Sequence, residues 1–200
     1  MEVLQTKTVL CKMVAQTLKQ AFDPFINLEL RVWENFAQLG ETKTFKKEAV
    51  LKAAHATEKY LNVLLSGSGG NLIWAKNNFV CIDIAFGKEF LFDYTSFAMQ
   101  QPSPIEVRVF EDSTVFRISH HKFQQVFEAV NHGEKVTRLV VEASLLAKQQ
   151  QQIDLLTKTA RERYLDIVRT HQVLARTPLK YLASYLGVTP QSLSRIRAEK

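Results

Sequence analysis

The spacing of apolar residues divides this chain into four stretches. In residues 3 to 39, Val3, Leu10, Val14 and Leu18 share one face at helical intervals, which predicts an amphipathic helix. "FDP" interrupts that pattern, and Asp23 before Pro24 offers the N-cap and first-turn chemistry of a second helix. From Thr42 to Ser119 the period shortens toward two. "YLNVLLSGSGGNLIWAKNN" predicts two strands around a Ser/Gly turn, "FVCIDIAFG" a strand closed by Gly87, and "IEVRVFEDSTVFRIS" two strands about "EDS". Short strands separated by polar turns suggest a β-sandwich or small barrel. In "HKFQQVFEAVNHG", Phe123, Val126, Phe127 and Val130 return to helical spacing, with Gly133 at the C-cap position.

The third stretch predicts a long helix from about Glu134. Val136, Leu139, Ala143, Leu146, Gln150, Ile153 and Thr157 alternate at intervals of three and four, a heptad seam with polar residues at Gln150 and Thr157. Such a seam docks either on its own sheet or on a second copy of the chain. The short "KQQQQ" tract at 148 to 152 is compatible with helix.

The last stretch carries the most specific pattern, "LASYLGVTPQSLSRIR". In a helix-turn-helix, Leu182, Leu186, Val188, Leu193 and Ile196 fall where the two helices pack, and small Ala183 lies where the second helix crosses the first. Gly187 supplies the positive φ of the turn. Thr189 caps the second helix with Pro190 in its first position, and Thr177 with Pro178 opens the first. Thr189, Pro190, Gln191, Ser194 and Arg195 then face away from the packed side, where recognition helices meet base edges. Arg195 can fork onto guanine and Gln191 onto adenine. Thr189 and Ser192 suit phosphate oxygens near the helix start, and Arg197, Lys180 and Arg176 add backbone contacts. An ordinary αα-corner is the structural alternative.

Charge sharpens this picture. Of 26 Lys and Arg and 20 Asp and Glu, nine basic and three acidic residues lie between Thr157 and Lys200, leaving 17 of each sign elsewhere. A neutral body with a basic end fits a polyanion binder, although a merely solubilising surface has the same balance. At 46% hydrophobic, 200 residues can bury a real core. No apolar run approaches the roughly 18 residues of a spanning helix and the N-terminus has no signal-peptide core, so a cytoplasmic protein is expected. Cys11 and Cys81 lie far apart, as expected of buried free thiols.

In this order, a sheet domain, a long helix and a terminal helix-turn-helix resemble the CRP/FNR transcription regulators. "RERYLDIVRTHQVLARTPLKYLASYLGVTPQSLSRIR" is similar to a subgroup common in Bacteroidetes-type bacteria, and "FGKEFLFDYTSFAMQQPSP" and "VFEDSTVFRIS" carry a weaker match upstream. The resemblance implies an α+β protein with an N-terminal β-roll, the double-stranded β-helix of cyclic-nucleotide-binding-like domains. It divides the chain into a sensor domain with N-terminal helices (1–133), a dimerisation helix (134–158) and an all-α helix-turn-helix domain (159–200). It implies double-stranded DNA and a second copy of the chain as partners, with RNA polymerase as a further one, no membrane and no catalysis. Thr189, Pro190, Gln191 and Arg195 fall at the family's DNA-contacting positions. An effector would act by turning a hinge near Leu156 to Ala160.

The effector cassette departs from that pattern. Asp93 lies near the family's ribose-binding Glu and Ser103 near its phosphate-binding Arg. A neutral Ser cannot replace an Arg on a phosphate, so weak or no cyclic AMP binding is expected, with no cofactor required and the effector unidentified. Arg108 is the nearby cation. Phe86, Phe90, Phe92, Tyr94 and Phe97 either line an apolar cavity or simply fill the roll. Two Cys are too few for an iron–sulfur cluster. His55, His120, His121, His132 and His171 show no spacing that identifies a haem pair, and no His/Glu metal set of a roll-type enzyme is present in the strands. The alternative function is a sensor acting through protein contacts, its terminal helices serving as a docking module without DNA.

Overall fold

The computed structural model describes residues 2–24, 26–75, 77–129, 133–170 and 177–198. Helix α1 (Glu2–Phe22) buries Val14, Ala15, Leu18 and Phe22. Its partner α2 (Leu30–Leu39) contributes Trp33 and Phe36, and Phe22 stacks on Trp33 at 4.7 Å. The second helix begins later than "FDP" predicts. Asp23 still donates its amide to the Lys19 carbonyl and pairs with the Lys19 ammonium, so it closes α1, and α2 starts behind Glu29.

Among the described residues, seven strands form two antiparallel sheets. In chain order they are β1 (Glu41–Phe45), β2 (Val50–Lys52), β3 (Tyr60–Ser66), β4 (Ser68–Ala75), β5 (Asn78–Phe86), β6 (Ile105–Val109) and β7 (Ser113–Ser119). One sheet runs β1-β7-β3 and the other β2-β6-β4-β5. Each expected pair of consecutive strands, β3 with β4 and β6 with β7, therefore straddles the two sheets instead of forming a hairpin. Gly67 makes the first crossing: its φ of +98° and a backbone that leaves no room for a Cβ beside Ser113 exclude other residues. Alternation then sorts the side chains. Leu61, Val63, Phe116 and Ile118 face the N-terminal helices, while Leu64, Leu91, Val107, Val109 and Val115 fill the roll.

A short helix, α3 (Tyr94–Met99), lies between β5 and β6, capped by Asp93, which accepts from the Ser96 amide. Helices α4 (His120–Ala129) and α5 (Gly133–Thr157) follow. Gly133 opens α5, so it is not the residue that ends α4 as the pattern predicts. The C-terminal part contains α6 (Ala160–Thr170), α7 (Leu179–Tyr185) and α8 (Pro190–Ala198). Among the described residues no helix is long and apolar enough to cross a membrane.

Candidate nucleic-acid interface

The turn between α7 and α8 is built as its residue types demand. Leu186, Gly187 and Val188 donate their amides to the carbonyls of Leu182, Ser184 and Ala183, and Gly187 takes φ +69°. Thr189 Oγ1 accepts from the Ser192 amide at 3.1 Å, with Pro190 as the first residue of α8. Leu182, Ala183, Leu186 and Leu193 are buried, with Val188 packed beside them. Helix α7 begins one residue later than expected: Pro178 is its N-cap, and Thr177 is buried with no hydrogen bond from its hydroxyl.

On the other side of α8, Thr189, Pro190, Gln191, Ser192, Ser194 and Arg195 are exposed. They form one polar surface along α8, with Arg195 as its cation. Arg197 is half-buried, its guanidinium 5.8 Å from the Tyr164 ring. Lys180 is exposed, but it faces the roll, 3.6 Å from a Glu48 oxygen. Arg176 lies outside the described residues.

Helix α7 is not free behind this surface. Tyr181 stacks on Phe110 at 4.2 Å, and Phe86 of β5 joins Leu182, Ala183, Leu186 and Leu193 in one core. The apolar centre of the terminal module is therefore completed by a strand of the roll. β5 is an edge strand with a bulge opposite Asn71 and Leu72, and its open backbone groups find partners outside the sheet. Cys81 donates its amide to Ser184 Oγ of α7 at 2.9 Å, and Gln151 of α5 donates to the Ile82 carbonyl at 3.4 Å. Burial pushes the Cys81 thiol up to about 12, so it stays protonated.

The junction between α5 and α6 is equally specified. Thr159 Oγ1 accepts from the Glu162 amide while the Glu162 carboxylate accepts from the Thr159 amide, a capping box that starts α6. Arg163 donates to the Lys158 carbonyl at the end of α5 and, at 2.7 Å, to the Leu186 carbonyl in the turn.

Along α5, Lys148 pairs with Asp83 at 2.9 Å and Gln151 reaches β5, so one face rests on the chain's own roll. Elsewhere on α5, Leu145, Leu146 and Leu156 are exposed at 67%, 65% and 79%, with Ile153 at 45%. Of the seam positions, Leu139 and Ala143 are half-buried, Gln150 is exposed and bonded to Asp154, and the side chain of Val136 lies outside the description.

In the effector cassette the structure brings Asp93 and Ser103 together but not Arg108. Val107 and Val109 point into the roll, so Arg108 points out, toward Tyr181, Glu48 and Glu106. The cation beside Asp93 is Lys52, a residue the sequence pattern does not single out. Its ammonium, with the side chain only 2% exposed, pairs with Asp93 at 3.0 Å and donates to Ser103 Oγ and the Ile105 carbonyl. Ser103 Oγ also bonds Asp93. Buried Glu58 accepts from the Tyr60 and Asp93 amides; burial raises its carboxyl above the ordinary range despite those bonds. Phe90, Phe92 and Phe97 pack edge-on among themselves and against Phe22 and Phe123, in the core shared with the helices, while Tyr94 is exposed. Among the described residues no group of three His, Cys, Asp or Glu could hold a metal ion.

No family model matches the sequence, and a search of curated proteins finds no relative. Solved structures do match. FixK2 from Bradyrhizobium japonicum superposes with a TM-score of 0.66 at 13% identity, covering 80% of this chain and 83% of that one. The c-di-GMP responsive global regulator CLP of Xanthomonas campestris gives 0.61 at 16%, covering 86% and 91%. A cyclic nucleotide-binding domain from Methylobacillus flagellatus gives 0.64 at 11%, covering 76% and 85%. The chain shares the β-roll fold of these structures, with a helical C-terminal part behind it.

Proposed function

We propose that this protein is a dimeric, sequence-specific DNA-binding regulator of the CRP/FNR kind. The observation that carries this reading is α8 itself, buried through Leu193 and exposed through Thr189, Gln191, Ser194 and Arg195. Arg195 reads guanine and Gln191 adenine in the major groove, while Thr189, Ser192, Arg197 and Lys180 hold phosphates. The unpartnered leucines of α5 supply the surface on which a second copy packs and brings two recognition helices onto one duplex.

Cyclic AMP is not the effector in this reading. Asp93, the residue nearest the family's ribose ligand, is already paired with Lys52, and among the described residues the cation at Ser103 is that same ammonium, not a guanidinium. Calorimetric titration with cyclic AMP should give no micromolar binding.

Fluorescence anisotropy with a labelled mixed-sequence duplex tests the function. Affinity should fall steeply with salt as phosphate-bound counterions are released. A chain that leaves the duplex unbound even at low salt is not a DNA-binding regulator.

A further inference from the structure

Lys180 of the proposed DNA interface and its buried neighbour Tyr181 are both engaged by a carboxylate of the roll. Glu48 precedes β2 and has φ +66°, the left-handed region that Glu rarely adopts. Its Oε2 accepts from Tyr181 Oη at 2.6 Å and from Arg108 Nη1 at 3.1 Å, and its Oε1 lies 3.6 Å from Lys180 Nζ. Arg108 also donates to Tyr181 Oη at 3.2 Å and pairs with Glu106 at 2.6 Å. One carboxylate thus gathers three side chains, two of them on the first helix of the helix-turn-helix. The contact is continuous with the Tyr181–Phe110 stack and with the Ser184–Cys81 bond on the bulged edge of β5.

The first helix of such a motif crosses the nucleic-acid backbone, so a lysine on it serves as a phosphate ligand. An ammonium 3.6 Å from a carboxylate already has an anion. We propose that Glu48 latches α7 to the roll and competes with DNA phosphate for Lys180, so that duplex binding and docking of the reading head oppose one another. This rests on the DNA-binding reading above. The regulation it implies is intramolecular: anything that moves Glu48 or β5 alters the head's access to phosphate.

Glu48→Gln keeps an acceptor for Tyr181 and removes the charge that pairs with Lys180 and Arg108. It should tighten binding of the mixed-sequence duplex about two- to fivefold at low salt, the scale of a partly exposed ion pair. The slope of log affinity against log salt should steepen by about 0.9, one additional phosphate contact. Both changes should vanish in a Lys180→Gln background. Unchanged affinity and slope, or a gain that persists without Lys180, would overturn the competition.

Amide hydrogen exchange supplies an arm independent of DNA. Glu48→Gln and Tyr181→Phe should each speed exchange several-fold in residues 179–186 and 79–83, with the roll interior unchanged. Unaltered exchange would overturn the latch. Faster exchange in a protein that binds no duplex would instead leave the latch standing and remove the DNA-binding reading.

Discussion

Arg195, the proposed base contact, and Lys52, held inside the roll, are written into this chain in different ways. Arg195 follows from spacing: Leu193 and Ile196 fix the inner side of α8, which leaves position 195 outside. Replacing it with Ala should relax discrimination at one base pair per half-site, a loss of about 1–3 kcal/mol per bidentate contact. Competition between matched and mismatched duplexes measures this. Lys52 sits in a three-residue strand with no period that distinguishes its inward direction, and its partners Asp93 and Ser103 come from distant sequence. Only the assembled roll brings them together. Lys52→Met should cost about 3–5 kcal/mol in denaturant unfolding, because Asp93 is left buried and uncompensated. Adding Asp93→Asn should recover part of that loss. Arg108 illustrates the same limit in reverse, since proximity in sequence to the cassette says nothing about which face of β6 it occupies.

At the level of elements, legibility followed the specificity of local chemistry. The turn between α7 and α8 takes a left-handed residue, a cap and a proline in fixed order, and Gly187, Thr189 and Pro190 supply them. Gly187→Ala should destabilise the protein by about 1–2 kcal/mol, the cost of holding a Cβ at positive φ; thermal or denaturant unfolding reads this directly. Five of the seven strands were evident from alternation. The others, β1 and β2, are short and largely polar or mixed, "ETKTF" and "VLK", and form only because β7 and β6 offer them edges. Which strands pair was not legible either, because a turn at Gly67 looks alike whether the chain returns within one sheet or crosses to another. On α5 the heptad pattern leaves two partners open: Lys148 and Gln151 reach the roll, and Leu145, Leu146 and Leu156 are exposed. Leu146→Asp should therefore shift the protein toward a monomer in analytical ultracentrifugation without lowering its unfolding midpoint by more than a surface substitution does.

For the whole molecule, the roll and the C-terminal helices share a core through Phe86 and a charge network through Glu48. Packing thus runs across residue 159, where α5 gives way to a capped α6. The network has a definite pH dependence. Burial works against the Glu48 carboxylate, but hydrogen bonds from Tyr181 and Arg108 and the Lys180 charge outweigh it, holding Glu48 below its ordinary 4.5. A carboxyl with a depressed folded pKa stabilises the folded state above its unfolded value and loses that contribution as pH falls through the folded one. Docking of α7 should therefore be insensitive to pH from 4.5 upward on account of Glu48 and loosen only below that value. Hydrogen exchange in residues 179–186, corrected for intrinsic rates, should show that onset.

The central claim is that two α8 helices, held by paired α5 helices, read one duplex. Sequencing the duplexes retained by the intact protein from a random pool tests it most directly. The account predicts an inverted repeat with half-site centres about 34 Å apart, one turn of DNA. Retention without an enriched sequence, or a single unrepeated half-site, would contradict it.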